Sequence, residues 1–426
     1  MPYAAGTSEP NMRFLHSADI HLDSPMRGLA RFEGAPAEQL RGATRRAFER
    51  LVELAIDKEV AFVVLAGDLY DGDRDDFNTA IFLQRQLRAL CDAGIPAVIA
   101  LGNHDAASEI TKRLRLPDRV HLLPHDHPDT VVLEDAGVAL HGQSYATRAV
   151  VDDLSLGYPS PVPGLLNVGV LHTSLDGRPG HDRYAPCTLD GLVARGYAYW
   201  ALGHVHRREE LERDGVWAVF PGNLQGRDVG ESGPKGATLV TYEDEAVTSL
   251  EHRDLAPVRW DRLALDVSGA PSPDEAIGAV VAGLEALQAA TDAELHAVRV
   301  ILEAGPALAQ AWLREPDRYE AQLRADATGD RETLWLERVE LRANAGAVDG
   351  LATDTVDAVR TTIAELRSDA TGRAELSAVL APLRARLGAE LAKVIDLGEP
   401  ELGDAGVDQL LDDVEALILA RLGGGP

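Results

Sequence analysis

Short apolar runs, each closing on small and polar residues, recur through roughly the first 250 positions of the chain. FLHSA (14–18), AFVVLAG (61–67), AVIALG (97–102), LNVGVLH (166–172) and YAYWALG (197–203) are long enough for a buried strand and too short for a helix. Between several of them, apolar residues recur at three- and four-residue spacing, which predicts helices over 38–57 and 77–93. Strands alternating with helices point to a layered α/β domain. Further short strands are expected at 131–134, 138–142, 216–220 and 237–243; they sit close together and read as antiparallel additions to the sheet.

The pattern changes after about residue 250. Alternating Trp260, Leu263, Leu265 and Val267 suggest a strand within 254–269, followed by a helix over 273–290 and strands over 295–303 and 333–342, together a small α/β domain. From about residue 350 the stretches VDAVRTTIAELRSD, AELSAVLAPLRARLGAELAKVI and VDQLLDDVEALILARL carry helical periodicity. Apolar faces there, such as Leu410, Leu411, Leu417, Ile418 and Leu422, suit either a core or a docking surface. The expected organisation is therefore 12–255, 256–348 and 349–423. A length of 426 residues accommodates two or three such domains.

Composition narrows the classes. An apolar fraction of 45% is ordinary for a globular chain, and no apolar run reaches the ~18 residues of a membrane span. The start, MPYAAGTSEPNM, has neither a basic segment nor an apolar one, so no signal peptide is expected. Cys91 and Cys187 are far apart and form no C-x-x-C pair, which fits a reduced cytoplasm and speaks against a thiolate zinc site. The net charge of −28 argues against a protein that coats nucleic acid through a basic face. It leaves room for an enzyme whose cleft is made positive by bound cations.

The candidate chemistry lies in the first half: eleven of the 13 histidines fall at or before His206. Each of the five main apolar runs ends in residues able to bind metal, namely Asp19-Ile20-His21, Gly67-Asp68, Gly102-Asn103-His104-Asp105, His172 and Gly203-His204-Val205-His206. Ligands of open α/β sheets gather at the carboxyl ends of strands, so five strands can aim these groups at one cleft. Residues two apart in an extended segment share a side, which pairs Asp19 with His21 and His204 with His206. Oxygen and imidazole donors without sulfur suit Mn²⁺, Fe or Zn²⁺. Seven such ligands are too many for one ion and about right for two sharing a carboxylate; two ions roughly 3.5–4 Å apart can clamp both oxygens of a phosphoryl transfer.

D-x-H, G-D, G-N-H-D, H and G-H-x-H, in this order, resemble the calcineurin-like metallophosphoesterase superfamily. ADIHLDSPMRGL (18–29) and FPGNLQGRDVGESGPKGATLV (220–240) resemble its DNA repair exonuclease branch, the SbcD-like nucleases, and within them the YhaO type. The resemblance implies an α/β four-layer sandwich of two β-sheets flanked by helices, then a small α/β capping domain and a helical C-terminal region. It implies that Asp19, His21 and His206 hold one ion, that Asn103, His172 and His204 hold the other, and that Asp68 bridges them. Mn²⁺ is the expected metal, with Fe or Zn²⁺ as alternatives, and a metal-activated water the expected nucleophile. His104 is implied as the catalytic group over the scissile phosphate, with Asp105 orienting it. The implied substrate is DNA ends, cut as exonuclease, with endonuclease cleavage left open beside it. The implied partner is an SMC-like coiled-coil ATPase of the YhaN type; a homodimer is a state that SbcD-like nucleases adopt, and no membrane is involved.

Other polar residues carry blander readings. Asp23 and Asp71 read as starts of loops or helix caps rather than ligands, His16 as a packed strand residue, and His121, His125 and His127 as loop residues. His181 lies on a loop able to overhang the cleft. Arg207, Arg227 and Lys235 are candidate phosphate contacts, with Arg227 and Lys235 favoured by their place in the branch-specific stretch. Two other functions stay open: a phosphoesterase for a small phosphodiester or a phosphoprotein, and a structural subunit that positions DNA or the ATPase.

Overall fold

The computed structural model describes residues 12–24, 36–71, 77–107, 116–176, 184–328, 333–343 and 353–369, together with Leu411, Val414, Glu415 and Ile418. Two compact units divide the chain between Trp260 and Asp261.

The first unit is built on two six-stranded sheets. One contains β1 (Met12–Ser17), β2 (Phe62–Ala66), β3 (Ala97–Ala100) and β4 (Val120–Leu122), all parallel, extended beyond β1 by β11 (Gly236–Glu243) and β12 (Ala246–Asp254) in the order β12-β11-β1-β2-β3-β4. The other contains β5 (Asp129–Leu133), β6 (Val138–Gly142), β7 (Leu166–His172), β8 (Tyr199–Gly203), β9 (Glu209–Arg213) and β10 (Val216–Phe220) in the order β5-β6-β7-β8-β10-β9. Helices α1 (Ala37–Arg41), α2 (Ala43–Asp57), α3 (Phe77–Asp92) and α4 (Leu189–Ala194) complete it.

The two-residue period of the strands assigns each face. In the first sheet Phe14, Phe62, Val64, Ala66 and Val98 meet the second sheet, where Val138, Leu140, Val168, Val170, Tyr199 and Ala201 face them. The intervening residues Leu15, Val63, Leu65 and Ile99 face Phe48, Leu51 and Val52 of α2 and Leu83 and Leu87 of α3. On the far side of the second sheet, Leu171, Trp200, Leu202 and Phe220 pack with Leu192 of α4. The result is helix, sheet, sheet and helix, with strands buried on both faces, which is why their sequences read as continuous apolar runs.

Several expectations need correcting. The helix expected over 38–57 is two helices parted at Gly42. The runs at 138–142 and 216–220 are not simply antiparallel additions: β6 pairs parallel with β7 and β10 parallel with β8, while each is antiparallel only to its hairpin neighbour, β5 or β9. A short spacing between runs fixes the hairpin but is silent about the strand on the other side. β12 was not expected because its sequence, AVTSLEHRD, is largely polar, as befits an edge strand.

The second unit carries a three-stranded sheet, β13 (Val258–Asp266), β14 (Leu295–Ala304) and β15 (Leu334–Ala343), with β14 and β15 parallel. Val280 and Leu284 of α5 (Pro273–Ala289), Leu308 and Trp312 of α6 (Pro306–Arg314) and Leu323 of α7 (Pro316–Thr328) pack on Val300 and Leu302 of its central strand. Neither α6 nor α7 was expected; each is short and starts at a proline, which suits the first turn of a helix. Helix α8 (Thr353–Ser368) buries Ile363 against Leu411, whereas the helix expected over 374–395 and most of that over 407–422 lie outside the described residues. No helix among the described residues is long and apolar enough to cross a membrane.

Phe14 and Phe62 stack at 4.6 Å between the two sheets, both fully buried. Phe62→Ala is expected to cost about 3–5 kcal/mol, read as a lower denaturation midpoint of the first unit with unchanged m-value; a change under about 1 kcal/mol contradicts this packing.

Candidate metal centre

β1, β2 and β3 of one sheet and β7 and β8 of the other end at a common edge of the sandwich. The chain after β1 stays bound to the chain after β2: Asp19 N–H donates to Gly67 O at 3.0 Å, and Ile20 and His21 N–H donate to Asp68 O at 2.8 and 3.0 Å. There the backbone turns left-handed at residues other than glycine, with φ of 50° at Asp19, 46° at His21, 53° at Asp68 and 98° at His204. Such angles are costly for side chains with a Cβ and concentrate at functional sites.

Three clusters of potential ligand atoms form at this edge. Asp19, His21 and His206 form one; Asp19, Asp68 and His172 form a second. His21 Nε2 is 3.1 Å from His206 Nε2, and His206 Nε2 is 3.9 Å from Asp19 Oδ1. His172 Nε2 is 3.0 Å from Asn103 Oδ1 and 3.4 Å from Asp68 Oδ2. Asp68 Oδ2 also lies 4.0 Å from His21 Nε2, between the two clusters. The His204 ring sits edge-on to that of His172, with centroids 5.2 Å apart. Donors that would share an ion at roughly 2.0–2.2 Å must themselves lie within about 4 Å of one another. The 3.0 and 3.1 Å separations therefore fit donors sharing an ion, and His172 and His206 present Nε2 to the cluster while Nδ1 is engaged behind it. His172 Nδ1 donates to Ala66 O at 3.0 Å, and His206 Nδ1 lies 2.7 Å from Glu231 Oε1. Residues expected from five separate motifs, Asp19, His21, Asp68, Asn103, His172, His204 and His206, thus meet in one place.

The third cluster joins His21, Asp71 and His104. Asp71 Oδ1 lies 3.2 Å from His104 Nδ1 and 3.4 Å from His21 Nδ1, and Ser24 Oγ donates to Asp71 Oδ2 at 2.7 Å. The carboxylate against the His104 ring is thus Asp71, which the sequence left as a loop residue. Asp105, the expected orienting group, is directed to the backbone: Oδ1 accepts from Leu69 and Tyr70 N–H at 2.8 and 3.1 Å, and Oδ2 from Gly102 N–H at 2.9 Å. It braces the loops that carry Asp68 and Asn103.

The electrostatics follow from crowding. The hydrogen bond that His104 donates to Asp71 raises the imidazole above its ordinary value. Burial opposes charge on His172, yet Asp68 and Asp19 push it up to about 9. Burial likewise opposes ionisation of Asp68, but the neighbouring imidazoles hold it below the usual carboxylate range. Burial and the Asp68 charge push Asp105 up to about 7. Burial and Arg227 lower His21.

Close approach at the sheet ends needs glycine. A Cβ at Gly203 would stand 1.9 Å from Ala66 O, and one at Gly67, where φ is 95°, would stand 2.3 Å from His172 Nδ1. These glycines, each directly before a ligand, let the two sheets meet.

The remaining candidates are placed as follows. Arg227 turns inward to Glu231, with Nη2–Oε1 at 2.7 Å, and Lys235 Nζ donates to His206 O at 2.7 Å. Both therefore brace His206 in this structure rather than stand open as phosphate contacts. Arg207 is exposed beside His206. His181 lies outside the described residues. Asp23 binds Arg45, with Nε–Oδ1 at 2.7 Å, and takes no part in the clusters. His16 is packed, its Nδ1 2.9 Å from Tyr199 Oη, and burial lowers it to about 3. His125 and His127 are exposed and His121 is partly so; none joins a cluster among the described residues. Glu231 was missed. Its only sequence signal was its place in the stretch 220–240.

Residues 12–208 match the family model of the calcineurin-like phosphoesterases, and residues 260–344 match that of the middle domain of metallophosphoesterase YhaO. The chain is 32% identical over 263 residues to the uncharacterized metallophosphoesterase YhaO of Bacillus subtilis (strain 168), covering 61% of this chain and 64% of the relative. It is 30% identical over 258 residues to the DNA double-strand break repair protein Mre11 of Haloferax volcanii, covering 58% and 54%. It is 27% identical over 287 residues to the protein of the same name from Methanopyrus kandleri, covering 61% and 60%. Each match spans less than two thirds of the relative's length.

Because Asp71 raises His104, Asp71→Asn is expected to move the imidazole titration of His104 to lower pH in metal-free protein. The proton is then lost at a pH where the wild type still holds it. Histidine-selective NMR reads the midpoint, and an unmoved midpoint contradicts the contact.

Proposed function

We propose that this chain, a member of the calcineurin-like metallophosphoesterase family and hence a metal-dependent phosphoesterase, is a two-metal phosphodiesterase that degrades DNA from its ends, as an SbcD-like exonuclease with endonuclease activity. The observation that carries the two-ion reading is the position of Asp68, 3.4 Å from His172 and 4.0 Å from His21, between two ligand groups. Asp19, His21 and His206 are assigned to one ion, Asn103, His172 and His204 to the other, and Asp68 to both.

Two divalent ions, Mn²⁺ in this reading, supply charge neutralisation and activation of a water. The chain's own groups do the rest. Asp19, Asp68 and Asp71 bring three carboxylates into the cleft, so two divalent ions leave it net positive and suited to a phosphodiester anion. This answers the objection raised by a net charge of −28, because attraction is needed only locally. His104 is the proton donor to the leaving oxygen: Asp71 anchors Nδ1 and favours the imidazolium, leaving Nε2–H for transfer. Asp105, tied to three backbone N–H groups, holds the loop that bears His104 rather than moving a proton.

DNA as substrate is supported by the likeness to relatives named for double-strand break repair. An SMC-like coiled-coil ATPase of the YhaN type is the proposed partner, docking on the region after residue 349, where Leu366 and Ile418 are exposed. A homodimer is the proposed assembly, and the cytoplasm the proposed compartment, in keeping with free Cys91 and Cys187.

Purified protein with Mn²⁺ is to be given end-labelled duplex, single-stranded DNA and a p-nitrophenyl phosphodiester. Degradation of DNA that falls about 10²–10⁴-fold in His104→Ala is expected. Cleavage of the small ester with no loss of DNA, even with the ATPase present, removes DNA as the substrate. Asp68→Ala is expected to lose both ions in metal analysis; two ions per chain in that variant contradict the bridging assignment.

A further inference from the structure

We propose that Glu231 is a positioning residue that fixes His206 for one ion and thereby makes the two ion sites unequal in affinity. The proposal rests on reading Asp19, His21 and His206 as the ligands of one ion. His206 is the ligand that most needs support: its side chain is 19% exposed, whereas the His21 and His172 side chains are 1% and 0% exposed. A partly exposed imidazole can rotate and exchange tautomers unless something holds Nδ1.

The segment after β10 supplies that hold. Glu231 stands on a short 3₁₀ turn, Val229–Glu231, whose first residue is preceded by Asp228 accepting from Gly230 N–H at 2.7 Å. Both its oxygens are loaded. Oε1 meets His206 Nδ1 and Arg227 Nη2, each at 2.7 Å; Oε2 accepts from Asn223 Nδ2 and Arg227 N–H, each at 2.8 Å. A carboxylate facing four donors, one of them a guanidinium, is ionised and acts only as acceptor. His206 Nδ1 must therefore carry a hydrogen, since two lone pairs cannot face each other at 2.7 Å. Arg227 Nη2 is also 3.2 Å from the same nitrogen, but that longer contact would require the opposite tautomer and is outweighed by the charge-assisted bond. Lys235 Nζ holds the backbone of the same residue through His206 O. With Nδ1 committed, the lone pair is on Nε2, directed to His21 and Asp19.

His172 is held differently. Its Nδ1 donates to Ala66 O, a neutral acceptor, at 3.0 Å. An imidazole that donates to a carboxylate is the more basic ligand, and loss of such a partner typically costs roughly 10- to 100-fold in metal affinity. The gain falls on the His206 ion and not on the His172 ion. Glu231 thus sets an order of loading in a centre whose motifs look symmetrical.

The test uses the full chain, Mn²⁺ as the probe, and Glu231→Gln, which keeps the shape and removes the charge. The wild type is expected to bind two ions. Glu231→Gln is expected to keep one affinity and to weaken the other roughly 10- to 100-fold, and His206→Ala to weaken the same ion. In metal-free protein, ¹⁵N NMR of the histidines is expected to show His206 as the Nδ1–H tautomer in the wild type and as a mixture in Glu231→Gln. Equal affinities in wild type and Glu231→Gln, or an equal loss at both sites, overturn the proposal. If the wild type binds fewer than two ions, the two-ion reading fails, and the NMR result decides by itself: an unchanged Nδ1–H signal in Glu231→Gln refutes the positioning role.

Discussion

One hydrogen bond sets the spacing on which the centre depends: His172, the last residue of β7, donates Nδ1–H to the carbonyl of Ala66, the last residue of β2. The two strands belong to different sheets, so the bond measures the gap between the layers where they end. It is completely buried and cannot be traded for water without cost. With His172 held against β2, its Nε2 falls beside Asn103 and Asp68, and Asp68 in turn falls within reach of His21. The position of the central carboxylate is thus a product of how two apolar sheets pack, and the rigidity of that packing becomes the precision of the site. Glycine at 67 and 203 is the local condition, since a side chain at either would strike the His172 ring or the carbonyl it binds.

Much of this was legible because each ligand follows directly on an apolar run. An all-parallel strand buried on both faces has a recognisable end, and the polar group found there has one cleft to enter. What was not legible depended on side-chain direction. Asp71 and Asp105 are both acids near His104 in the folded chain, and proximity in sequence favoured Asp105. The 3₁₀ turn that begins at Asp105 folds its carboxylate back onto Gly102 N–H, while the left-handed Asp68 turns the following segment so that Asp71 reaches the imidazole. Glu231 was hidden for a similar reason, since its value lies in meeting a histidine on a separate loop. In the fold, burial on both faces made β2, β3, β7 and β8 conspicuous, whereas polar β12 and the short α6 and α7 declare themselves only through their neighbours.

Protons and cations compete for one arrangement at this centre. Neighbouring imidazoles hold Asp68 below the usual carboxylate range, while Asp68 and Asp19 push His172 up to about 9. A proton on His172 takes the electrostatic role of a cation, and it must be yielded before that lone pair can serve as ligand. Asp105, buried and facing the Asp68 charge, is instead pushed up to about 7. Acids only a few ångströms apart are thus tuned in opposite directions by their immediate neighbours.

The carboxylate of Asp19 accepts two bonds from the backbone N–H of His204, a residue 185 positions later in the chain. β1 is likewise completed on one side by β11, which starts at Gly236. During synthesis, then, the first ligands emerge long before the partners that hold them, and the left-handed turns at Asp19 and His21 have nothing to enforce them. Closure of so large a loop places this domain among the topologies of high contact order, whose folding is slow and whose early intermediates are vulnerable. A nascent chain halted before residue 204 would carry the acids of the centre without the histidines that complete it, so metal can reward only the finished fold.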